Sequence, residues 1–243
     1  MERPTTTNRP PRPATHAGRV GSPAPLADGP FRDKRLLGAA AAIIVLLLAW
    51  LFWPSPYGGV KNLASGGSGV IAFGDSLTAG YGAGPGQDYP SRLAVRTGIT
   101  IVNAGVSGDT TESALRRIEP DVLSNRPRVL IVGLGGNDFL RGVPIGTTEA
   151  NLRTIVRRAQ GAGAMVVLLG FEFPSITASY AKMYERVADE EGCLFIPDML
   201  DGILANPALK SDEIHPNASG YELMAERVEK PLRALLKKAD GTR

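Results

Sequence analysis

Two widely separated polar clusters contain the residue types of a nucleophilic hydrolase. Ser76 follows an apolar run and a glycine in segment 70–78, and Asp212 precedes His215 by three residues nearer the C-terminus. A serine hydroxyl is a weak nucleophile until a base accepts its proton, and histidine is the usual base near neutral pH. An aspartate at the other ring nitrogen holds the imidazole in the required tautomer. These residues predict acyl transfer through Ser76, with His215 as base and Asp212 as its partner.

Ser76 also has a non-catalytic interpretation. Ser and Asp are frequent N-cap residues, so an isolated Asp75-Ser76 pair more often begins a helix than attacks a substrate. The catalytic interpretation is favoured by two further polar clusters, which contain Gly108 and Asn137. The backbone N–H groups of Ser76 and Gly108 and the side-chain amide of Asn137 would donate three hydrogen bonds to a tetrahedral oxyanion.

Strand and helix patterns alternate from residue 70 onward and must position these clusters. Short apolar runs typical of buried strands cover 70–73, 100–102, 129–133, 165–169 and 194–196, and amphipathic helical runs cover 89–96, 111–118, 148–160, 179–191 and 219–237. This alternation predicts an α/β domain with a parallel sheet and helices on both faces. Ligands of such sheets bind outside the carboxyl ends of the strands. The polar clusters, three of which directly follow predicted strands, are therefore expected on one rim.

The order of these motifs resembles a known family. Gly-Asp-Ser-Leu at 74–77, Gly108, Gly-Gly-Asn-Asp at 135–138 and Asp-x-x-His-Pro at 212–216 are similar to the four sequence blocks of the GDSL, or SGNH, hydrolases. The similarity extends from residue 70 to about residue 236 and is greatest to the bacterial lysophospholipase L1, acyl-CoA thioesterase I and arylesterase type. The resemblance implies the catalytic and oxyanion roles given above. It also implies a flavodoxin-like three-layer αβα sandwich with a five-stranded parallel sheet.

Apolar residues after the third and fourth predicted strands suggest the substrate. We predict that Phe139, Leu140, Phe171 and Phe173 bind an acyl chain at the rim, although they could instead pack the loops together. The expected activity is a serine esterase for lysophospholipids, acyl thioesters or small aryl and alkyl esters. Two alternatives stay open: a carbohydrate O-acetylesterase acting on cell-envelope polysaccharide, and an inactive anchored module that binds the envelope.

Composition argues against several other classes of protein. The net charge is +3, but residues 1–35 carry seven basic and three acidic residues, and the remainder carries 20 basic and 21 acidic ones. The predicted catalytic domain therefore has no basic excess that would attract nucleic acid. One cysteine, Cys193, allows no intramolecular disulfide, and with only two histidines beside it the sequence predicts no zinc site built from His and Cys. No phosphate-binding or dinucleotide-binding motif is present, so we expect neither a cofactor nor a metal.

The N-terminal part predicts a membrane anchor. Residues 1–35 are rich in Pro and Arg and are expected to be a disordered cytosolic tail. Residues 36–53 carry no charge and would span about 27 Å as a helix, close to the hydrocarbon thickness of a bilayer. Lys34 and Arg35 precede this run, and Trp50 and Trp53 end it.

This pattern predicts a single-pass protein of the bacterial inner membrane with its N-terminus in the cytosol. A flexible linker over 54–69 would then lead to a hydrolase domain at 70–238 on the periplasmic side. A cleaved signal peptide is the alternative, which the long leader and the lack of a small-residue cleavage site disfavour.

Overall fold

The computed structural model describes residues 34–51, 57, 59–64, 66–172 and 178–242. The chain divides into two units, Met1–Trp53 and Pro54–Arg243. The first contains helix α1 (Lys34–Leu51). The strands of the second are β1 (Val70–Gly74), β2 (Ile101–Gly105), β3 (Val129–Gly133), β4 (Met165–Leu169) and β5 (Leu194–Ile196). Its helices are α2 (Ser76–Ala79), α3 (Tyr89–Thr97), α4 (Thr111–Asp121), α5 (Gly136–Leu140), α6 (Ile145–Gly161), α7 (Ala178–Glu191) and α8 (Ala218–Asp240).

The five strands form one parallel sheet in the order β2-β1-β3-β4-β5. This is the doubly wound order of flavodoxin-like proteins. Because parallel crossovers are right-handed, the reversal of direction after β2 places helices on both faces of the sheet. The packing agrees, since α3 contacts α8, whereas α4, α6 and α7 contact one another in series. The predicted α/β class and five-stranded parallel sheet are confirmed.

Central strands are buried because they are covered on both faces. Every residue of β1, β3 and β4 is buried, which explains why these strands read as continuous apolar runs. The predicted bounds of β3, β4 and β5 equal the observed ones. Strand β2 was predicted at 100–102 but spans Ile101–Gly105, because backbone pairing with β1 continues to Gly74–Gly105 beyond the apolar residues.

Side-chain caps begin the helices that lead away from the site. Asp88 accepts a hydrogen bond from the N–H of Ser91 at the start of α3. Thr110 and Ser113 form a reciprocal capping box on α4, and Asn217 accepts from two N–H groups at the start of α8. Each cap satisfies N–H groups that have no partner within the helix, so each helix begins at a defined residue.

The segment predicted as a linker, 54–69, lies within the second unit. Val60 is 5% exposed and belongs to the hydrophobic core. The side-chain amide of Asn62 donates to the carbonyls of Gln160 and Ala164 at 2.9 and 3.0 Å. Val60 and Asn62 therefore pack on the rest of this unit.

The predicted transmembrane run, residues 36–53, coincides largely with α1. This helix begins with Lys34 and Arg35 and is described as far as Leu51, and the last two residues of the run lie outside the described part. Within that part, no helix combines the length and apolar character needed to cross a membrane. The disordered tail predicted at 1–35 lies almost entirely outside the described residues.

Candidate active site

Ser76 lies just beyond the carboxyl end of the interior strand β1, at the first position of α2. Asp75 caps this short helix, because its Oδ1 accepts a hydrogen bond of 3.0 Å from the N–H of Leu77. The turn between strand and helix requires glycine at position 74. A Cβ there would lie 2.1 Å from Thr78 Oγ1 and 2.5 Å from the Gly133 carbonyl. The local sequence thus ends the strand sharply and presents the serine on the rim.

His215 comes from the segment that precedes α8, at the other end of the domain. Its Nε2 lies 3.0 Å from Ser76 Oγ, which is hydrogen-bonding distance. The segment is closed on itself, because the N–H of Ser211 donates to the His215 carbonyl at 2.9 Å and Lys210 forms an isolated bridge with Pro216. This closure holds the imidazole toward the end of β1.

Asp212 completes a hydrogen-bonded row with the imidazole. Its Oδ2 lies 2.7 Å from His215 Nδ1, and its Oδ1 accepts the backbone N–H groups of Ile214 and His215, each at 2.9 Å. Partial burial raises the pKa of Asp212, but these hydrogen bonds outweigh it and hold the pKa below its ordinary value. Asp212 is therefore an ionised acceptor, which requires the proton of a neutral imidazole to reside on Nδ1 and leaves Nε2 free to accept from Ser76.

The two further oxyanion candidates border the same cavity. A cavity of about 210 Å³ is lined by Ser76, Gly108, Asn137 and His215 together with seven other residues. Gly108 has φ +85°, a left-handed conformation that favours glycine. The Arg141 guanidinium donates to the Gly108 carbonyl at 2.8 Å, so the glycine-bearing loop is attached to the residue that follows α5.

Two hydrogen-bond acceptors orient the side-chain amide of Asn137, a residue of α5. Its Nδ2 donates to the Asp109 carbonyl at 3.0 Å and to Asp75 Oδ2 at 3.3 Å. The neighbouring Asp138 is buried and accepts from the N–H and hydroxyl of Thr111 at 2.8 and 2.5 Å, which ties α5 to the start of α4. To donate to an oxyanion, the Asn137 amide would have to give up the longer of these two hydrogen bonds, the one to Asp75.

Asp75 is 2% exposed. Among the residues that the structure describes, the hydrogen-bond donors to its side chain are the N–H of Leu77 and the amide of Asn137, and neither is basic. Burial raises its pKa to about 7, although the hydrogen bonds from Leu77 and Asn137 lower it. The nearby charge of Asp109 raises the pKa further. The carboxyl group beside the serine is therefore poised to change charge near neutral pH.

The four residues predicted to bind an acyl chain have different positions. Leu140 is 51% exposed and lines the cavity. Phe139 is half-buried and packs edge-on against Tyr180, with ring centroids 5.4 Å apart. Phe171 is 3% exposed, packs near Tyr184 in the core and is not among the residues that line the cavity. Phe173 lies outside the described residues.

Residues missed from the sequence also shape the site. Tyr81 and Ile214 line the cavity, and the Tyr81 ring packs against the His215 imidazole. Arg117 on α4 donates to the carbonyls of Gly74 and Ala104 and to the carboxylate of Asp109. It thereby joins the ends of β1 and β2. Tyr81 is five residues from Ser76 in sequence and could have been noticed, but no sequence signal distinguishes Arg117 from a surface arginine.

No group of three or more His, Cys, Asp or Glu side chains in the described part of the chain is arranged to hold a metal ion. Cys193 is buried, and burial raises the pKa of its thiol to about 12. This cysteine is therefore a core residue rather than a reactive thiol.

Comparison with known proteins identifies the class to which this fold and site belong. Residues 72–223 match the GDSL-like lipase/acylhydrolase family. The chain belongs to that family and is an ester hydrolase.

Individual relatives cover the same region. Esterase TesA of Pseudomonas aeruginosa is 29% identical over 69% of this chain and 89% of its own length. Thioesterase 1/protease 1/lysophospholipase L1 of Escherichia coli K12 is 30% identical over 69% of this chain and 84% of its own. A crystal structure of TesA superposes with a TM-score of 0.65 at 30% identity, covering 69% of this chain and 99% of that one. An acetylxylan esterase of Geobacillus stearothermophilus is 26% identical over 53% of this chain and 69% of its own.

Proposed function

We propose that the protein hydrolyses carboxylic esters or thioesters through an acyl-enzyme on Ser76. The observation that carries this proposal is the row Ser76–His215–Asp212, with 3.0 Å from Ser76 Oγ to His215 Nε2 and 2.7 Å from His215 Nδ1 to Asp212 Oδ2. The row opens on the cavity that Gly108 and Asn137 also line.

The reaction begins with attack of Ser76 Oγ on the ester carbonyl carbon. As the new C–O bond forms, His215 Nε2 accepts the hydroxyl proton and Asp212 stabilises the imidazolium. The carbonyl oxygen becomes an oxyanion that receives hydrogen bonds from the N–H of Ser76, the N–H of Gly108 and the amide of Asn137. Collapse of this intermediate breaks the bond to the leaving oxygen or sulfur, which takes the proton from Nε2.

Deacylation repeats these steps with water. His215 Nε2 accepts a proton from the water as it attacks the acyl carbon, and then returns a proton to Ser76 Oγ as the acid leaves. The products are the carboxylic acid and an alcohol or thiol. Every proton transfer uses one ring nitrogen, so the low pKa of Asp212, which keeps the other nitrogen protonated, supports both halves of the reaction.

The substrates proposed are lysophospholipids, acyl thioesters and small aryl or alkyl esters. Relatives named esterase, thioesterase and lysophospholipase support this range. The apolar side chains of Leu77, Leu140 and Ile214 line the cavity and suit an acyl group.

The test is a substrate panel with the full-length chain in detergent. It compares p-nitrophenyl esters from acetyl to dodecanoyl with a lysophosphatidylcholine and an acyl-CoA, and we expect turnover that varies with chain length. The variant S76A is the matched control for spontaneous hydrolysis. Absence of turnover above that control on the whole panel would overturn the proposal and favour the inactive envelope-binding module.

A carbohydrate O-acetylesterase is the second candidate. The similarity to an acetylxylan esterase favours it. An acetyl group is also small and needs no long apolar groove. Release of acetate from an acetylated xylan or an acetylated cell-wall polysaccharide, with no activity on octanoyl or longer esters, would establish this activity instead of the lipid one.

The location predicted at the bacterial inner membrane stays a prediction. It is supported by the charge-free run at 36–53 and by Lys34 and Arg35 before it. Alkaline carbonate extraction of membranes from cells that express the full chain tests it: recovery in the pellet supports a membrane anchor, and release into the supernatant contradicts one.

A further inference from the structure

Tyr81 presents an exposed aromatic ring to the cavity. In the described part of the chain it is the single aromatic side chain with more than half of its surface exposed, at 55%. Its ring centroid lies 4.5 Å from that of the His215 imidazole, with the planes tilted by 46°. One face of the ring is thus covered by the proposed base, and over half of the side chain is left to solvent.

Hydrogen bonds fix the backbone of Tyr81 beside the site. The N–H of Tyr81 donates to the Ser76 carbonyl at 3.0 Å, and the Tyr221 hydroxyl donates to the Tyr81 carbonyl at 2.7 Å. The adjoining Gly82 packs so closely on the segment that carries His215 that a Cβ there would lie 2.0 Å from Ser211 Oγ. The backbone of Tyr81 is therefore fixed relative to both the serine and the segment that carries the imidazole, and its ring packs on the imidazole. Such contacts, made before a ligand binds, reduce the entropy lost on binding.

The proposed reaction determines which part of a substrate meets this ring. His215 Nε2 is the atom 3.0 Å from Ser76 Oγ, and it delivers its proton to the leaving oxygen or sulfur. A group packed on the imidazole therefore borders the leaving group. Leu140 lies instead on the helix of Asn137, three residues further on, beside the proposed oxyanion site.

We infer that Tyr81 is a specificity-determining residue that binds the leaving group and selects flat aromatic alcohols or thiols. This inference rests on the proposed function, since it assumes that His215 protonates the leaving group. An aromatic leaving group would pack on the exposed part of the ring in an offset or edge-on arrangement. An ethyl leaving group is too small to cover it.

The experiment compares benzyl acetate with ethyl acetate. The two substrates share their acyl group, and both leave as alkoxides, so the ratio of their kcat/KM values reports contacts with the leaving group. We expect Y81A to lower the benzyl-to-ethyl ratio about 3- to 10-fold, mainly through KM for benzyl acetate, and Y81F to keep the ratio.

Two controls separate this role from others. V95A changes a side chain that is 84% exposed on α3 and should leave both rates unchanged. L140A should alter the dependence on acyl-chain length across p-nitrophenyl esters but keep the benzyl-to-ethyl ratio.

Equal losses of kcat on both acetates in Y81A would show that the ring only orients the imidazole and would overturn the inference, as would an unchanged ratio. Both outcomes leave the proposed function intact, because esters are still hydrolysed. Failure of the unmodified chain to hydrolyse either acetate or any other ester would instead count against the proposed function.

Discussion

His215 Nε2 lies 3.0 Å from Ser76 Oγ, although 139 positions separate the two residues in the chain. Two local structures create this contact. The turn after β1 places the serine on the rim, and the closed segment before α8 brings the imidazole to it. Asp212 lies in the same closed segment as His215, so the proposed base and the carboxylate proposed to orient it arrive as one unit.

Removal of the hydroxyl of Ser76 should abolish the activity. We expect S76A to lower kcat by about six orders of magnitude on p-nitrophenyl butyrate, because no acyl-enzyme can form. Active-site labelling with a fluorophosphonate should be lost in parallel. The variant S124A, which changes an exposed hydroxyl after α4, should keep both activity and labelling. A labelled S76A protein would contradict the assignment.

Asp212 and His215 should differ in the size of their effects. H215A removes the base itself and should cost about 10⁶ in kcat, whereas D212N disturbs only the tautomer and orientation of the imidazole and should cost about 10⁴. Steady-state kinetics on one substrate measures both. The matched control is E213Q, since Glu213 is the neighbouring carboxylate and is 95% exposed. Equal losses in D212N and H215A would be inconsistent with these roles.

The side-chain amide of Asn137 should act on the transition state rather than on substrate binding. N137A should lower kcat about 10²- to 10³-fold with little change in KM, because the amide donates to an oxygen that becomes negative only during the reaction. N125A removes an exposed amide that donates to the Asp121 carbonyl and should not affect kcat. A rise in KM alone after N137A would point to ground-state binding.

Asp75 should make stability depend on pH. Burial raises the folded-state pKa of this group to about 7, so the folded state binds a proton more tightly than the unfolded chain does. Its contribution to stability is therefore complete below pH 3.8 and is lost as pH rises through 7. Asparagine keeps the hydrogen-bond acceptor for Leu77 but does not titrate.

Comparison of D75N with the unmodified chain isolates this effect. Between pH 4 and 7, the free energy of unfolding of the variant should rise relative to the unmodified chain by up to about 1.4 kcal/mol per pH unit. Urea unfolding at several pH values measures the difference, in which the other titrating groups cancel. A difference that does not vary with pH would show that Asp75 stays ionised in the folded protein.

Patterns that are local in the sequence were enough to predict much of the fold. Apolar runs ended by glycine or polar residues predicted β3, β4 and β5 with their observed bounds. For β3 and β4 the reason is that interior strands covered on both faces need apolar residues on both faces. The five longer helices of the domain were also predicted, each one to four residues too short. Helix ends depend on caps such as Asp88 and Thr110, which periodicity alone does not detect.

Features that depend on contacts between distant segments needed coordinates. Phe171 and Leu140 both follow strands and are both apolar, yet one is buried beside Tyr184 and the other lines the cavity. Val60 was assigned to a linker from its Gly- and Ser-rich surroundings, but it is buried in the core. The residue types of a segment do not show which other segments will pack against it.

The sequence by itself determined the family, the parallel sheet and the residue types available for chemistry, because these follow from motifs and from local apolar periodicity. Only the tertiary structure decided the distances within the Ser76–His215–Asp212 row, the two acceptors of Asn137 and the packing of Tyr81 on the imidazole. The physical reason is that hydrogen bonds and ring contacts act over a few ångströms in space. Chain folding, rather than proximity in sequence, brings those groups within that range.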